Sequence, residues 1–232
     1  MASSKKKNPN STDNLISKSW IQLLIVSILG FSLYMGTFDH GFVLDDNLVI
    51  TSNKHVQNGF SGIPDLFKYN YAHGHADFND GLYRPLSLVT FAIEKDLFNL
   101  NSRSSHIIQV FIYLLLLLVL FLWLKALFDE RSYWPLLITL LFAAHPIHTE
   151  VVANLKSRDE LLAMLFFCLA ALNFTKWLKS QQTINLVLGV AAMFIASFSK
   201  ESAVTFAAIF PLIAWYKSDS TKKSIIASSL FI

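Results

Sequence analysis

Charge is scarce in this chain. Only 15% of its 232 residues are Asp, Glu, Lys or Arg, where a soluble domain carries about 25%. Cysteine is scarcer still: Cys168 stands alone, which excludes an internal disulfide framework and a cysteine-based zinc site. With 8 Gly and 6 Pro the sequence is neither low-complexity nor collagen-like. A net charge of +3 without a long basic tract gives no reason to expect a nucleic-acid partner. What is present is apolar: 53% of residues are hydrophobic, 14% are aromatic, and the mean hydropathy is +0.46. These proportions point to an all-α polytopic membrane protein.

A helix needs about 20 apolar residues to cross roughly 30 Å of hydrocarbon. The runs 20–38 and 107–124 come close to that, and the first has no small-residue cleavage site, so it reads as a retained span. Shorter runs follow at 133–147, 161–175, 184–199 and 202–216. A stub at 224–232 starts another apolar segment, so the expectation is six spans plus a partial seventh, in the front portion of a longer chain. As one helix, Ile184 to Tyr216 would rise about 50 Å, too long for a bilayer. Ser199-Lys200-Glu201-Ser202 is the natural break.

Basic residues orient the spans. Alternate crossings from an inside N-terminus put Lys5, Lys6, Lys7, Lys18, Lys125, Arg131, Lys176, Lys179, Lys217, Lys222 and Lys223 on the cytoplasmic side. Residues 1–18, polar and lysine-rich, read as a disordered cytoplasmic tail ahead of a transmembrane domain over 19–232. The first extracytoplasmic loop, 39–105, is too long for a simple connector. Pro64 and Pro85 mark helix starts within it, and the spacing over Leu86–Leu100 predicts an amphipathic helix lying at the membrane interface. Between them, 70–81 reads as polar and flexible.

The same topology gathers Asp45, Asp46, Arg84, His145, His148, Glu150, Arg158, Lys200 and Glu201 on the extracytoplasmic face. Asp45 and Asp46 are adjacent carboxylates near hydrocarbon, where repulsion and desolvation raise a pKa and suit a general base. They are also candidates to hold a divalent cation such as Mg2+ or Mn2+. Arg84 precedes a helix start, where its fork suits a phosphate. His145, His148 and Glu150 offer imidazole and carboxylate donors, and Lys200-Glu201 sits in a turn beside the membrane, where ionisable groups are costly. Such a set suits chemistry on a substrate with a lipid tail and an anionic head. A carboxylate takes a proton from an acceptor hydroxyl while cations stabilise the departing phosphate.

Five motifs succeed one another along the chain: Phe42-Val43-Leu44-Asp45-Asp46-Asn47, Tyr83-Arg84-Pro85-Leu86, His145-Pro146-Ile147-His148-Thr149-Glu150-Val151, Ser157-Arg158-Asp159-Glu160-Leu161-Leu162 and Ser199-Lys200-Glu201. The set resembles the transmembrane part of the transmembrane-and-tetratricopeptide-repeat protein O-mannosyltransferases and their bacterial relatives, in the GT-C superfamily, over roughly residues 19–216. The resemblance implies a GT-C-like helical bundle, a polyprenyl-phosphate-linked sugar donor, inverting transfer and a catalytic acid in the first extracytoplasmic loop. That acid is Asp45 or Asp46 here. Donor-phosphate binding falls to Arg84, Arg158, Lys200 and the two histidines, with Glu150 and Glu201 alongside.

The expected function is therefore transfer of a sugar, mannose being the candidate, to a hydroxyl of a protein or glycan acceptor. Bacterial inner membrane is the expected location, with endoplasmic reticulum as the alternative. Two other readings stay open: a related transferase that decorates lipid or lipopolysaccharide, and a non-enzymatic transporter or assembly scaffold. Transporters tend to place ionisable groups near mid-membrane, whereas here they sit at the ends of the apolar runs.

Overall fold

Each apolar run forms a helix, bounded by residues that cap or break one. The computed structural model describes residues 18–77, 79, 81–128 and 132–217. Residues 1–17 of the tail expected over 1–18, the lysines at 5, 6, 7, 222 and 223, Asp80, Arg131 and the partial span at 224–232 lie outside the described residues. Among the described residues every regular element is helical: α1 (Ser19–Tyr34), α2 (Lys54–Gln57), α3 (Ile63–Lys68), α4 (Pro85–Phe98), α5 (Ser102–Leu127), α6 (Trp134–Ala144), α7 (His148–Ala153), α8 (Arg158–Ser180), α9 (Thr183–Ser199) and α10 (Ile209–Lys217), with tighter or wider turns between them.

The boundaries derive from local chemistry. Asn101 caps α5 by accepting from the Ser104 amide at 2.9 Å. Asp159 and Glu160 fill the first turn of α8, where the helix dipole favours acids. Gln181 ends α8 in the left-handed region at φ 56°, and Asn99 ends α4 at φ 55°. Pro146 stops α6 just past Ala144. The Ala143 carbonyl left without a helical partner accepts instead from the Tyr113 hydroxyl at 2.9 Å.

Among the described residues, three segments are long and apolar enough to cross a membrane: Ser19–Asp39, Ser102–Leu127 and Leu155–Ser180. The protein is thus a multi-pass, all-α membrane protein. α6 and α9 are shorter apolar helices. Lys200 adopts an extended conformation (φ −155°, ψ 133°) and so ends α9. The next segment, Glu201–Ala208, is a 3-10 helix running into α10. Its rise of about 2.0 Å per residue, against 1.5 Å in an α-helix, lets 201–217 cover roughly 30 Å.

α8 is the central helix, packing along α9, α5 and α10, while α1 packs on α5 and α6. Hydrocarbon is no less apolar than leucine, so close packing holds these helices together more than water exclusion does. Small residues serve that end where Ala163, Ala196 and Ala203 meet. Gly30 serves it on α1, where an added Cβ would lie 2.7 Å from a Leu117 methyl on α5.

The loop between α1 and α5 has its own core. Val49, Ile50, Val56, Leu66, Tyr71, Leu88, Phe91 and Ala92 pack together with Leu155 from the foot of the bundle. α4 starts at Pro85 as its sequence predicts, but it does not lie open on a surface. It is layered between α2 and α3 on one side and α5, α8 and α9 on the other, with Leu88, Phe91 and Glu94 all buried. The stretch 70–77, whose composition predicts a flexible connector, is tied inward. Tyr71 and Ala72 are buried, the Tyr71 amide donates to Leu82 O at 2.8 Å, and Lys54 pairs with Asp77 at 2.6 Å. His73 meets His55, nitrogen to nitrogen, at 3.2 Å.

Overpacking the α1–α5 contact tests this arrangement. Gly30→Val is expected to cost about 1–3 kcal/mol and to lower the melting temperature in detergent. Gly36→Val, with nothing within 4 Å of the added Cβ, is expected to melt like the parent. Equal melting of the two variants would contradict the close contact.

Candidate active site

The end of the bundle where α1, α6 and α9 finish and α5 and α8 begin carries the candidate residues, and it divides them into two classes. In the first, charges are consumed by other protein groups. In the second, they are exposed or hold a single exposed partner.

Arg158 belongs to the first class. Its side chain is fully buried, and its guanidinium donates to Gln109 Oε1 at 2.9 Å, Thr90 Oγ1 at 3.1 Å, the Ser105 carbonyl at 3.1 Å and the Glu94 carboxylate. Its Cζ lies 3.9 Å from the Phe91 ring centroid. The other Glu94 oxygen accepts from the Ser105 hydroxyl at 2.5 Å. The motif pattern assigns Arg158 to a donor phosphate. The structure instead encloses it between α4 and α5, where its donors already serve other groups.

Arg84 is similarly engaged. Its Nε donates to Glu201 Oε2 at 2.7 Å, its Nη2 to the second Glu201 oxygen, and its Nη1 to Asp159 Oδ2 at 2.7 Å. Tyr71 lies beneath, with its centroid 5.6 Å from the guanidinium carbon. A bidentate arginine–carboxylate pair is geometrically exacting. It clamps the loop to the turn between α9 and α10. Glu201 holds the Arg84 proton well above the ordinary arginine range, and Arg84 pulls the Glu201 carboxyl below its own.

Asp46 is a pin of another kind. It is completely buried, and its two oxygens accept from the Val43 amide at 2.9 Å and the Lys156 amide at 2.8 Å. Burial pushes its pKa up, while those two amide bonds pull it back. Its neighbour Asp45 faces outward, with 63% of its side chain exposed and the Lys156 ammonium 3.7 Å away. Two adjacent residues of the same type therefore take different roles. The backbone leading into them is bent: Leu44 sits at φ 45°.

The second class comprises Asp45, Lys156, Lys200, His148, His145 and Glu150. Lys200 pairs with Glu160 at 2.7 Å, with Glu160 half-exposed. Beside them lies a cavity of about 190 Å3 lined by His148, Glu160, Lys200 and Ser202 at its polar part, and by Phe142, Leu161, Met164 and Phe206 among its apolar walls. His148 rests on Phe142 at 4.2 Å between centroids, and burial then the neighbouring His145 lower its pKa. Burial therefore favours the neutral form of His148, and Lys200 and Glu160 form the ion pair at the polar part of that cavity. His145 and Glu150 are exposed at the end of α6 and in the first turn of α7.

These donors do not fit a divalent cation. Both Asp46 oxygens already accept amide protons, and Asp45 faces an ammonium. Among the described residues no group of three or more His, Cys, Asp or Glu could hold a metal ion. Sequence reasoning missed Lys156 as a contributor, since it lies in an ordinary connector and reaches Asp45 only through the Asp46 contact. It also missed Glu94, to which the reading of Leu86–Leu100 as an amphipathic helix gave no role.

Comparison with known proteins bears on the same residues. The chain is homologous to several protein O-mannosyl-transferases. It is 34% identical over 200 residues to Protein O-mannosyl-transferase TMTC3 of Mus musculus, covering 80% of this chain and 20% of that protein. With Protein O-mannosyl-transferase Tmtc1 of Drosophila melanogaster it shares 27% over 215 residues, 88% of this chain and 24% of the relative. With Protein O-mannosyl-transferase TMTC2 of Mus musculus it shares 32% over 163 residues, 66% and 18% respectively. The chain thus spans about a fifth of the length of these relatives. No family model matches it, and no solved structure matches it.

Two measurements check the engaged charges. Removing one partner of a buried ion pair typically costs about 3–5 kcal/mol, so Arg158→Ala is expected to lose folded yield in detergent. Arg158→Lys is expected not to restore it, because one ammonium cannot reach four acceptors. Normal melting of either variant would contradict the assignment. The Arg84–Glu201 clamp carries a pH signature. Because the Glu201 pKa is lowered on folding, its stabilisation is complete above the ordinary carboxylate pKa, about 4.3, and is lost as pH falls through the lowered value. The melting advantage of the parent over Glu201→Gln is expected to be full at pH 7 and gone in strong acid; an advantage independent of pH would refute the clamp.

Proposed function

We propose, from its homology to protein O-mannosyl-transferases, that this chain forms the membrane-embedded catalytic part of a glycosyltransferase that moves a sugar, mannose in the first instance, from a polyprenyl-phosphate donor to a hydroxyl of a protein acceptor. The observation that supports the assignment of roles is the division between Asp45 and Asp46. Asp46 holds the loop to Lys156 and has no free oxygen, whereas Asp45 presents its carboxylate outward beside that lysine.

Asp45 is then the general base. It takes the proton of the acceptor hydroxyl as the acceptor oxygen bonds to the anomeric carbon. The bond from that carbon to the phosphate oxygen breaks on the opposite side, leaving polyprenyl phosphate and an inverted linkage. Charge develops on the phosphate as the bond breaks, so ammonium groups fixed beside it stabilise the transition state more than the ground state. Lys156 and Lys200 take this role, since each has a single exposed carboxylate partner, Asp45 at 3.7 Å and Glu160 at 2.7 Å, whereas Arg84 and Arg158 each donate to two or more groups. The cavity beside Lys200 combines a charged mouth with Phe142, Leu161 and Met164, matching a phosphate attached to an isoprenoid chain. The orientation that goes with this reading places the site on the extracytoplasmic side, with the lysine-bearing end of the bundle in the cytoplasm.

The test separates the two aspartates. Asp45→Asn is expected to keep the parental melting temperature and donor affinity while lowering kcat by about 10²–10⁴-fold, the usual contribution of a positioned base. Asp46→Asn is expected to lower stability, since one of its two amide donors then faces an NH2 group. If Asp45→Asn membranes transferred sugar from polyprenyl-phosphate-mannose at the parental rate, Asp45 would not be the base.

A further inference from the structure

At the end of the bundle remote from Asp46, the last turns of α5, α8 and α10 surround a cavity of about 550 Å3. Four lysines line it: Lys125 from α5, Lys176 and Lys179 from α8, and Lys217 from α10. Phe128 and Leu178 contribute apolar wall, and among the described residues no carboxylate lines it. The Lys125 ammonium donates to the Ser19 hydroxyl at the start of α1. Lys176 and Lys179 are three residues apart and therefore share one face of α8.

The orienting effect of cytoplasmic lysines accounts for basic residues anywhere on this side of the membrane. It does not require them to converge from three helices on one cavity. Four like charges around a shared space repel each other, and an anion placed among them converts that repulsion to attraction. The apolar wall and the position at the ends of membrane helices put the cavity at headgroup depth, where basic pockets between helices capture anionic lipids. A phosphodiester brings a single negative charge, whereas a phosphomonoester brings about 1.5–2. The richer charge is the better match to four ammoniums.

We propose that this cavity is a binding site for an anionic phospholipid whose headgroup carries a phosphomonoester. The site lies at the opposite end of the bundle from the transfer chemistry and its occupancy does not depend on that reaction. The lipid would tie α5, α8 and α10 together through one polyvalent group, in place of direct contact between their lysine-bearing ends.

The experiment uses the purified full chain in phosphatidylcholine nanodiscs, titrated with dioleoyl phosphatidic acid, with phosphatidylcholine alone as the reference and native mass spectrometry as the readout. Phosphatidic acid is expected to bind at least about tenfold more tightly than phosphatidylcholine, since each lysine near a headgroup adds on the order of 1 kcal/mol. The combined variant Lys125→Gln, Lys176→Gln, Lys179→Gln, Lys217→Gln is expected to lose that preference. The double variant Lys176→Gln, Lys179→Gln, a smaller perturbation of the fold, is expected to lose part of it. Lys18→Gln removes a lysine on the same side but outside the cavity and is expected to keep it. Equal binding of the two lipids, retention of the preference by the combined variant, or an equal loss in Lys18→Gln would overturn the site. Inorganic phosphate at millimolar concentration is expected not to displace the lipid; full displacement would mean a soluble anion is the ligand and would overturn the lipid assignment.

Discussion

A guanidinium enclosed beside hydrocarbon must be compensated, and the pairing of Arg158 with Glu94 is the contact on which this end of the molecule depends. Arg158 opens α8, Glu94 and Thr90 lie on α4, and Ser105 and Gln109 lie on α5. One side chain thereby fixes a loop helix against two helices of the bundle. Buried ion pairs add little stability over a well-packed apolar alternative, but they penalise every arrangement that separates the partners. That penalty is what holds α4 in a single position, although the helix is reached through a long connection from α1.

Once Arg158 is placed, its neighbours are placed as well. Successive residues on an α-helix point about 100° apart, so Asp159 and Glu160 leave α8 in different directions. Asp159 meets Arg84 from the loop, and Glu160 meets Lys200 from the turn after α9. Asp46 attaches two residues upstream of Arg158, at the Lys156 amide. The short stretch 156–160 is thus the meeting point of the first loop, α4, α5 and the turn after α9. The chemistry proposed at Asp45 and Lys200 is held in register by this stretch, and none of the holding groups need touch the substrate.

The long apolar runs are legible as helices because membrane hydrocarbon permits little else. Their sidedness is an expectation drawn from the placement of basic residues in the short connections. What the sequence conceals is pairing across distance. Glu94 and Arg158 are 64 positions apart, and Glu94 sits on a helix whose mixed three- and four-residue spacing fits an open amphipathic face as well as a buried one. Arg84 and Arg158, free cations by their motifs alone, have acidic partners supplied from elsewhere in the chain. The loop core is hidden for a related reason. Val49, Val56, Leu66 and Phe91 are scattered among polar residues, and only their convergence on Leu155 turns them into a packed layer.

The 3-10 helix at Glu201–Ala208 links the candidate site to the far end of the bundle. Glu201 is held from the loop by Arg84, and Lys217 ends the same segment at the lysine-lined cavity, so the chain between them has a set distance to cover. An α-helix of this length would reach about 26 Å. Winding its first eight residues more tightly extends that to roughly 30 Å. That winding brings poorer hydrogen-bond geometry and eclipsed side chains three apart, which small residues tolerate best. Ala203 and Ala207 occupy the buried positions of that segment, against α8 and α9. The tight winding, the alanines beside it and the Arg84 clamp above it therefore belong to one arrangement that sets the distance from Glu201 to Lys217.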